Sequence, residues 1–147
     1  MTIIIRIKSA LVADNAGVVD DHLQIVQKVY RGDGCIWGLA GPQPLREMLA
    51  ELMTVDKLVA IMRLYPKNFK QASILVIDET GGYQIGFVDD ELFVDVIPEF
   101  FQVGCYRTEW LRYRAGLEPV VADAVTFCQK INDLNGCSAA RVEPRYL

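Results

Sequence analysis

The chain has 147 residues, 52% of them hydrophobic and 23% charged, with a formal net charge of −4. That length fits a single domain, residues 1–147, with room for a substantial core. Its fifteen Lys and Arg residues are scattered rather than gathered into the stripe of a nucleic-acid binder, and no apolar run approaches the roughly 18 residues of a membrane helix. Met1 to Ile7 lacks the basic start and small-residue cleavage site of a secretory signal. A cytoplasmic protein is therefore expected, with neither nucleic acid nor membrane among its partners. Cys35, Cys105, Cys128 and Cys137 form no C-x-x-C pair and read as reduced, mostly buried thiols. His22 is the single histidine, which excludes a multi-His metal site, and neither a metal nor a cofactor is expected.

In chain order, Thr2 comes first: removal of Met1 would place a nucleophilic hydroxyl and a free α-amine on one residue. Ile3, Ile5 and Ile7 alternate with Ile4, Arg6 and Lys8, a period of two that predicts a strand. After Ser9, Leu11 to Ala13 resumes the β pattern and delivers Asp14 near Thr2 across neighbouring strands. Ala16 to Val19, the polar turn Asp20-Asp21-His22 and Leu23 to Tyr30 predict a hairpin. Arg31-Gly32-Asp33-Gly34 is a turn signal, and Cys35 to Leu39 reads as a buried strand.

From Pro44 the period changes. Leu45, Met48, Leu49, Leu52 and Met53 share one helix face over Pro44 to Met53. Leu58, Ile61, Met62 and Tyr65 share another behind a Thr54 cap, before Pro66 stops it. Ser73 to Ile77, Tyr83 to Val88, Leu92 to Ile97 and Phe101 to Gly104 return to β spacing. Thr108 caps a helix carrying Trp110, Leu111 and Ala115, and Gly116 ends it. Pro119 opens another with Val121, Ala124, Val125, Cys128 and Ile131 inward. Asn132 to Gly136 reads as a turn and Ala139 to Val142 as a closing strand. Strands come in runs separated by helix pairs, so the expected fold is α+β, a four-layer αββα sandwich of two antiparallel sheets between helix pairs.

Four stretches carry chemistry in combination: Met1-Thr2-Ile3-Ile4, Val12-Ala13-Asp14-Asn15, Gln27-Lys28-Val29 and Gly38-Leu39-Ala40-Gly41. Together they resemble the N-terminal nucleophile (Ntn) hydrolases of the proteasome beta-subunit and HslV type, over nearly the whole chain. The resemblance implies Thr2 Oγ as nucleophile, the Thr2 amine as general base, Lys28 beside that amine and Asp14 orienting Lys28. An α-amine titrates near about 8, and an adjacent ammonium lowers it toward a usable base. Backbone N–H groups of Gly38, Leu39, Ala40 and Gly41 are implied to bind substrate and form part of an oxyanion site.

Two stretches depart from the family pattern. Cys105 stands where the family has the Ser of Gly-Ser-Gly, and Asn132 to Cys137 stands where it has Asp-x-x-Ser/Thr-Gly-Gly. Without a gap, Asn132 takes the Asp position and Asn135 the hydroxyl position; with a shift of one residue, Asp133 supplies the carboxylate. These four residues are the implied support of the amine. The resemblance further implies threonine-type hydrolysis of a peptide or unfolded protein, a homo-oligomeric ring or double ring, and an ATPase unfoldase as partner. The alternative from another class is a non-catalytic, proteasome-like structural subunit used for assembly.

Other groupings have plainer explanations. Cys105 with His22 would make a thiol–imidazole pair, but His22 falls in a hairpin turn. Asp89-Asp90-Glu91 with Asp95 reads as a solvated acidic loop before a cation site, and Gly81, Gly82 and Gly86 as a hairpin because no helix follows them. Trp110, Tyr113 and Tyr106 beside Arg112 and Arg114 read as helix packing with a basic rim, or as an assembly contact.

Overall fold

Every residue of β1 (Ile3–Ile7) is buried in the computed structural model, which describes residues 2–50 and 54–147. Its two faces point into different layers. Ile3, Ile5 and Ile7 pack with Trp110, Ala124, Phe127, Cys128 and Ile131, whereas Ile4 packs with Leu11, Ile36, Leu75 and Val103. A strand covered on both faces has no use for a solvent face, which is why it is a run of isoleucines. The one charged residue in it, Arg6, is satisfied internally: its guanidinium donates to the carbonyls of Lys8 (2.7 Å), Ile97 (2.9 Å) and Pro98 (3.2 Å).

β1 lies between β10 (Phe100–Gly104) and β2 (Ala10–Ala13), with Ile4 opposite Val103 on one side and Ala13 on the other. β11 (Arg145–Tyr146) completes this antiparallel sheet. The second sheet runs β5 (Val29–Arg31), β6 (Cys35–Ala40), β7 (Ser73–Asp78), β8 (Gly81–Val88) and β9 (Glu91–Val96), also antiparallel throughout. On its outer face lie α1 (Gln43–Leu49), α2 (Val55–Leu64) and the short α3 (Pro66–Phe69), through Leu45, Leu49, Leu58, Met62 and Phe69. α4 (Arg107–Tyr113) and α5 (Val121–Leu134) cover the first sheet. The fold is thus the α+β, four-layer αββα sandwich expected from the order of elements. β3 (Ala16–Val19) and β4 (His22–Ile25) form a separate hairpin around Asp20 and Asp21, both at positive φ.

Several boundaries differ from expectation. Leu23 to Tyr30 is not one strand. β4 ends at Ile25, Val26 turns in against Gly17 and donates its N–H to the Asn15 carbonyl, and β5 joins the other sheet. In α1 the expected core residue Met48 is exposed and Arg46 is buried instead, while Leu52 and Met53 lie outside the described residues. Thr54 does cap α2, accepting from the Lys57 N–H at 3.2 Å, but Tyr65 is exposed and Pro66 starts α3.

In the second half, Thr108 sits inside α4, whose cap is Tyr106 at φ 61°, and Leu111 on that helix is exposed. Pro119 precedes α5 by two residues, and Asp123 caps it by accepting from the Val120 N–H at 2.8 Å. α5 continues through Asn132 to Leu134, since burying Cys128 and Ile131 carries the helix past its turn-like composition. Ala139 to Val142 forms no strand; the closing strand is β11. No described helix is long and apolar enough to cross a membrane. Of the four cysteines, Cys35, Cys128 and Cys137 are buried and Cys105 is exposed.

Candidate active site

The register of β1 on β2 sets the site. With Ile4 opposite Ala13, the next residue of β2's chain, Asp14, falls beside Ile3 and accepts its N–H through Oδ1 at 3.0 Å. Asp14 Oδ2 accepts from Lys28 Nζ at 2.8 Å and from the Ala16 N–H at 3.2 Å. Lys28 Nζ also donates to the Ala16 carbonyl, and the Lys28 carbonyl accepts from the Leu39 N–H at 3.3 Å, which ties the lysine to β6. One carboxylate thereby joins the start of β1, the end of β2 and the approach to β5.

Both charges are out of water, Asp14 at 0% and Lys28 at 2% exposure. Burial pulls the Lys28 ammonium below its ordinary 10.5; the charge and hydrogen bond of Asp14 oppose this, and Arg46 adds to it.

Thr2 is fixed from its carbonyl side by β10. The Cys105 N–H donates to the Thr2 carbonyl at 2.6 Å. Gly104 stands at φ 98°, where a Cβ would lie 2.0 Å from the Thr2 oxygen, so both conformation and space require glycine. The Thr2 side chain lines a cavity of about 240 Å³ together with Gly17, Lys28, Gly41, Gln43 and Arg46. Thr2, Lys28 and Gly41 are thus brought to one cavity, with Asp14 behind Lys28. Gly38, Leu39 and Ala40 lie in β6, paired with Leu75, Ile74 and Ser73.

The four support candidates are placed differently. Cys105 adjoins Thr2 through its backbone. Asn132, fully buried, exchanges two hydrogen bonds with Asn15: its Oδ1 accepts the Asn15 N–H at 2.8 Å and its Nδ2 donates to Asn15 Oδ1 at 3.0 Å. It therefore steadies the residue after Asp14. Asn135 Nδ2 donates to the Ile131 carbonyl (2.8 Å) and Tyr106 hydroxyl (3.2 Å), and Asp133 is exposed. Sequence reading passed over Arg46, whose Nη2 donates to Thr2 Oγ at 3.3 Å. Nothing in a helix reading Pro-Leu-Arg-Glu-Met marks that arginine as buried.

A threonine thus leads a doubly buried strand in an αββα sandwich, on one cavity with the lysine of a buried Asp–Lys pair. By sequence, no protein-family model and no curated relative matches the chain. By structure it is similar to Thiobacillus denitrificans BPH, solved in complex with epoxomicin. That likeness has 14% identity and a TM-score of 0.65, over 100% of this chain and 98% of that one. It is also similar to eukaryotic HslV from Trypanosoma brucei, at 15% identity and a TM-score of 0.60, over 99% of this chain and 98% of that one. The fold is that of the HslV and proteasome type.

Proposed function

We propose that the chain is one domain of a threonine-type peptidase, acting in the cytoplasm as a subunit of a self-compartmentalised ring. Once Met1 is removed, Thr2 Oγ attacks the peptide carbonyl while the Thr2 amine takes its proton. The C–N bond then breaks, the amine returns the proton to the leaving nitrogen, and water hydrolyses the resulting ester by the same route. Lys28 holds the amine in its neutral form, and Asp14 holds Lys28.

The observation that carries this reading is the buried Asp14–Lys28 pair at 2.8 Å, with Lys28 and Thr2 on one cavity. A buried ion pair is weak evidence of a stabilising role, because apolar residues of equal volume serve stability as well or better. Placed beside a threonine, it is better explained by proton chemistry. Exposed Val18 and Ile25 on the β3–β4 hairpin and Val96 on β9 support assembly into a closed ring. An ATPase unfoldase as partner and peptides or unfolded proteins as substrate belong to the same proposal.

Protein isolated from its native host should lack Met1 and gain the mass of epoxomicin or a peptide boronate at Thr2. Thr2→Ala and Lys28→Ala should each lower peptide hydrolysis at least 1,000-fold, about 4 kcal/mol of barrier, without loss of assembly. A second reading, a non-catalytic structural subunit, is favoured by Asn132 and Asn135 spending their amides on Asn15, Tyr106 and Ile131. An unmodified mass with Met1 retained in native material would decide for it.

A further inference from the structure

β9 ends the second sheet, and among the described residues no strand pairs with its far side. It reads Glu91-Leu92-Phe93-Val94-Asp95-Val96, in unbroken register on β8 from Val88 opposite Glu91 to Tyr83 opposite Val96. It carries neither proline, lysine nor a bulge, the usual devices that blunt an edge. Its two acids alternate with Val94 and so lie on the face opposite that residue.

One hydrogen bond fixes which backbone groups point outward. The Ile97 N–H donates to the Gly82 carbonyl at 3.0 Å, the next pair in the same register. Hydrogen-bonded pairs alternate along an antiparallel ladder, so Asp95, Phe93 and Glu91 also turn their backbone toward β8. Leu92, Val94 and Val96 therefore turn their N–H and C=O groups to the free edge. Their side chains share one face. Leu92 packs at the margin of the core beneath α2, and Val94 (45%) and Val96 (79%) stand exposed beyond it. On the other face Phe93 lies against Gly86, where a Cβ would come 3.0 Å from its ring, so it leans toward β8 and leaves the edge clear.

We propose that β9 pairs antiparallel with β9 of a second copy of this chain, about a two-fold axis at Val94, joining two five-stranded sheets into one. In that register the strand is complementary to itself. Val94 faces the partner's Val94 and Leu92 faces the partner's Val96, so one face is apolar against apolar and every outward N–H and C=O finds a mate. Phe93 faces the partner's Asp95, and neither acid stands opposite an acid, where like charges would oppose pairing. Only the register centred on Val94 uses all three outward residues of both copies. The contact is two-fold, unlike the head-to-tail contact that closes a ring, and it stands whether or not Thr2 is a nucleophile.

Light scattering of the full chain at micromolar concentration should give an even multiple of 16.5 kDa, and Val94→Pro should halve it. The Val94 N–H faces the free edge, so proline there takes no hydrogen bond from β8. Under mild oxidation, Val94→Cys should give a disulfide between the two introduced thiols in non-reducing peptide maps, because the facing Cα atoms lie about 5.5 Å apart. Asp95→Cys should give at least tenfold less, since a two-residue offset puts its Cα atoms roughly 8 Å apart. A monomer or an odd multiple for the unaltered chain, an unchanged mass in folded Val94→Pro, or equal cross-linking at the two positions overturns the assignment. A monomer would leave the edge to an extended segment of another protein. If Val94→Pro does not fold, the two cysteine variants decide.

Discussion

Asp14 uses a single carboxylate to hold Lys28, the Ile3 N–H and the Ala16 N–H. Asp14→Ala would leave a buried ammonium without its counter-charge, and a loss of roughly 3–5 kcal/mol is expected in urea unfolding. Lys28→Met in the same background should recover much of that loss, because it removes the stranded charge. Cys128 gives a pH dependence. Burial first, then the nearby Asp14 charge, raises its thiol well above the ordinary 9.0. A folded pKa above the unfolded one means that the folded chain keeps its proton longer. The stability this supplies is complete below about pH 9 and is lost as pH rises through the folded value. Unfolding midpoints of the wild type should therefore fall above pH 9 more steeply than those of Cys128→Ala. At this scale Asp14 and Lys28 were legible in the sequence because each sat in a recognisable stretch. Arg46 was not, since the helix period gives its neighbours' faces and says nothing of a cavity between α1 and Thr2.

Periods of two and 3.6 located the strands and helices, because each element has to turn an apolar face toward another. They failed where tertiary packing outweighed composition. Asn132-Asp133-Leu134 has turn chemistry, yet it continues α5, because Ile131 is anchored under β1 and β2 and Asn132 finds a partner in Asn15. That contact couples α5 to the end of β2. Asn132→Ala would strip the Asn15 N–H and amide of their buried partner, and roughly 1–3 kcal/mol of stability should be lost. Hydrogen exchange at the Asn15 amide should accelerate relative to the β1 amides; equal protection in the two proteins would count against the coupling.

For the molecule as a whole, the four layers were legible because two sheets with inward and outward apolar faces need both each other and a helical cover. The separation of the β3–β4 hairpin from both sheets was not, since its strands have the same alternation as the rest. That hairpin leaves Val18, Leu23 and Ile25 exposed, and β9 leaves Val94 and Val96 exposed. Light scattering is expected to give a mass that is an integer multiple of 16.5 kDa. Replacing Ile25 and Val96 with Lys should reduce that multiple; a monomeric wild type at micromolar concentration would refute assembly through these faces.

The double burial of β1 also fixes something the cores themselves do not need. A strand with one solvent face can slide by two residues at modest loss, but sliding β1 would take Arg6 from its three carbonyl acceptors, and a shift of one would exchange Ile4 with the isoleucines under α5. Thr2 stands one residue ahead of this strand and is clamped across it by Gly104 and Cys105. Its hydroxyl is therefore indexed by the sheet, like a tooth on a rack. The tolerance on the Thr2 hydroxyl's position is inherited from hydrophobic packing on both faces of β1, away from the cavity that Thr2 lines.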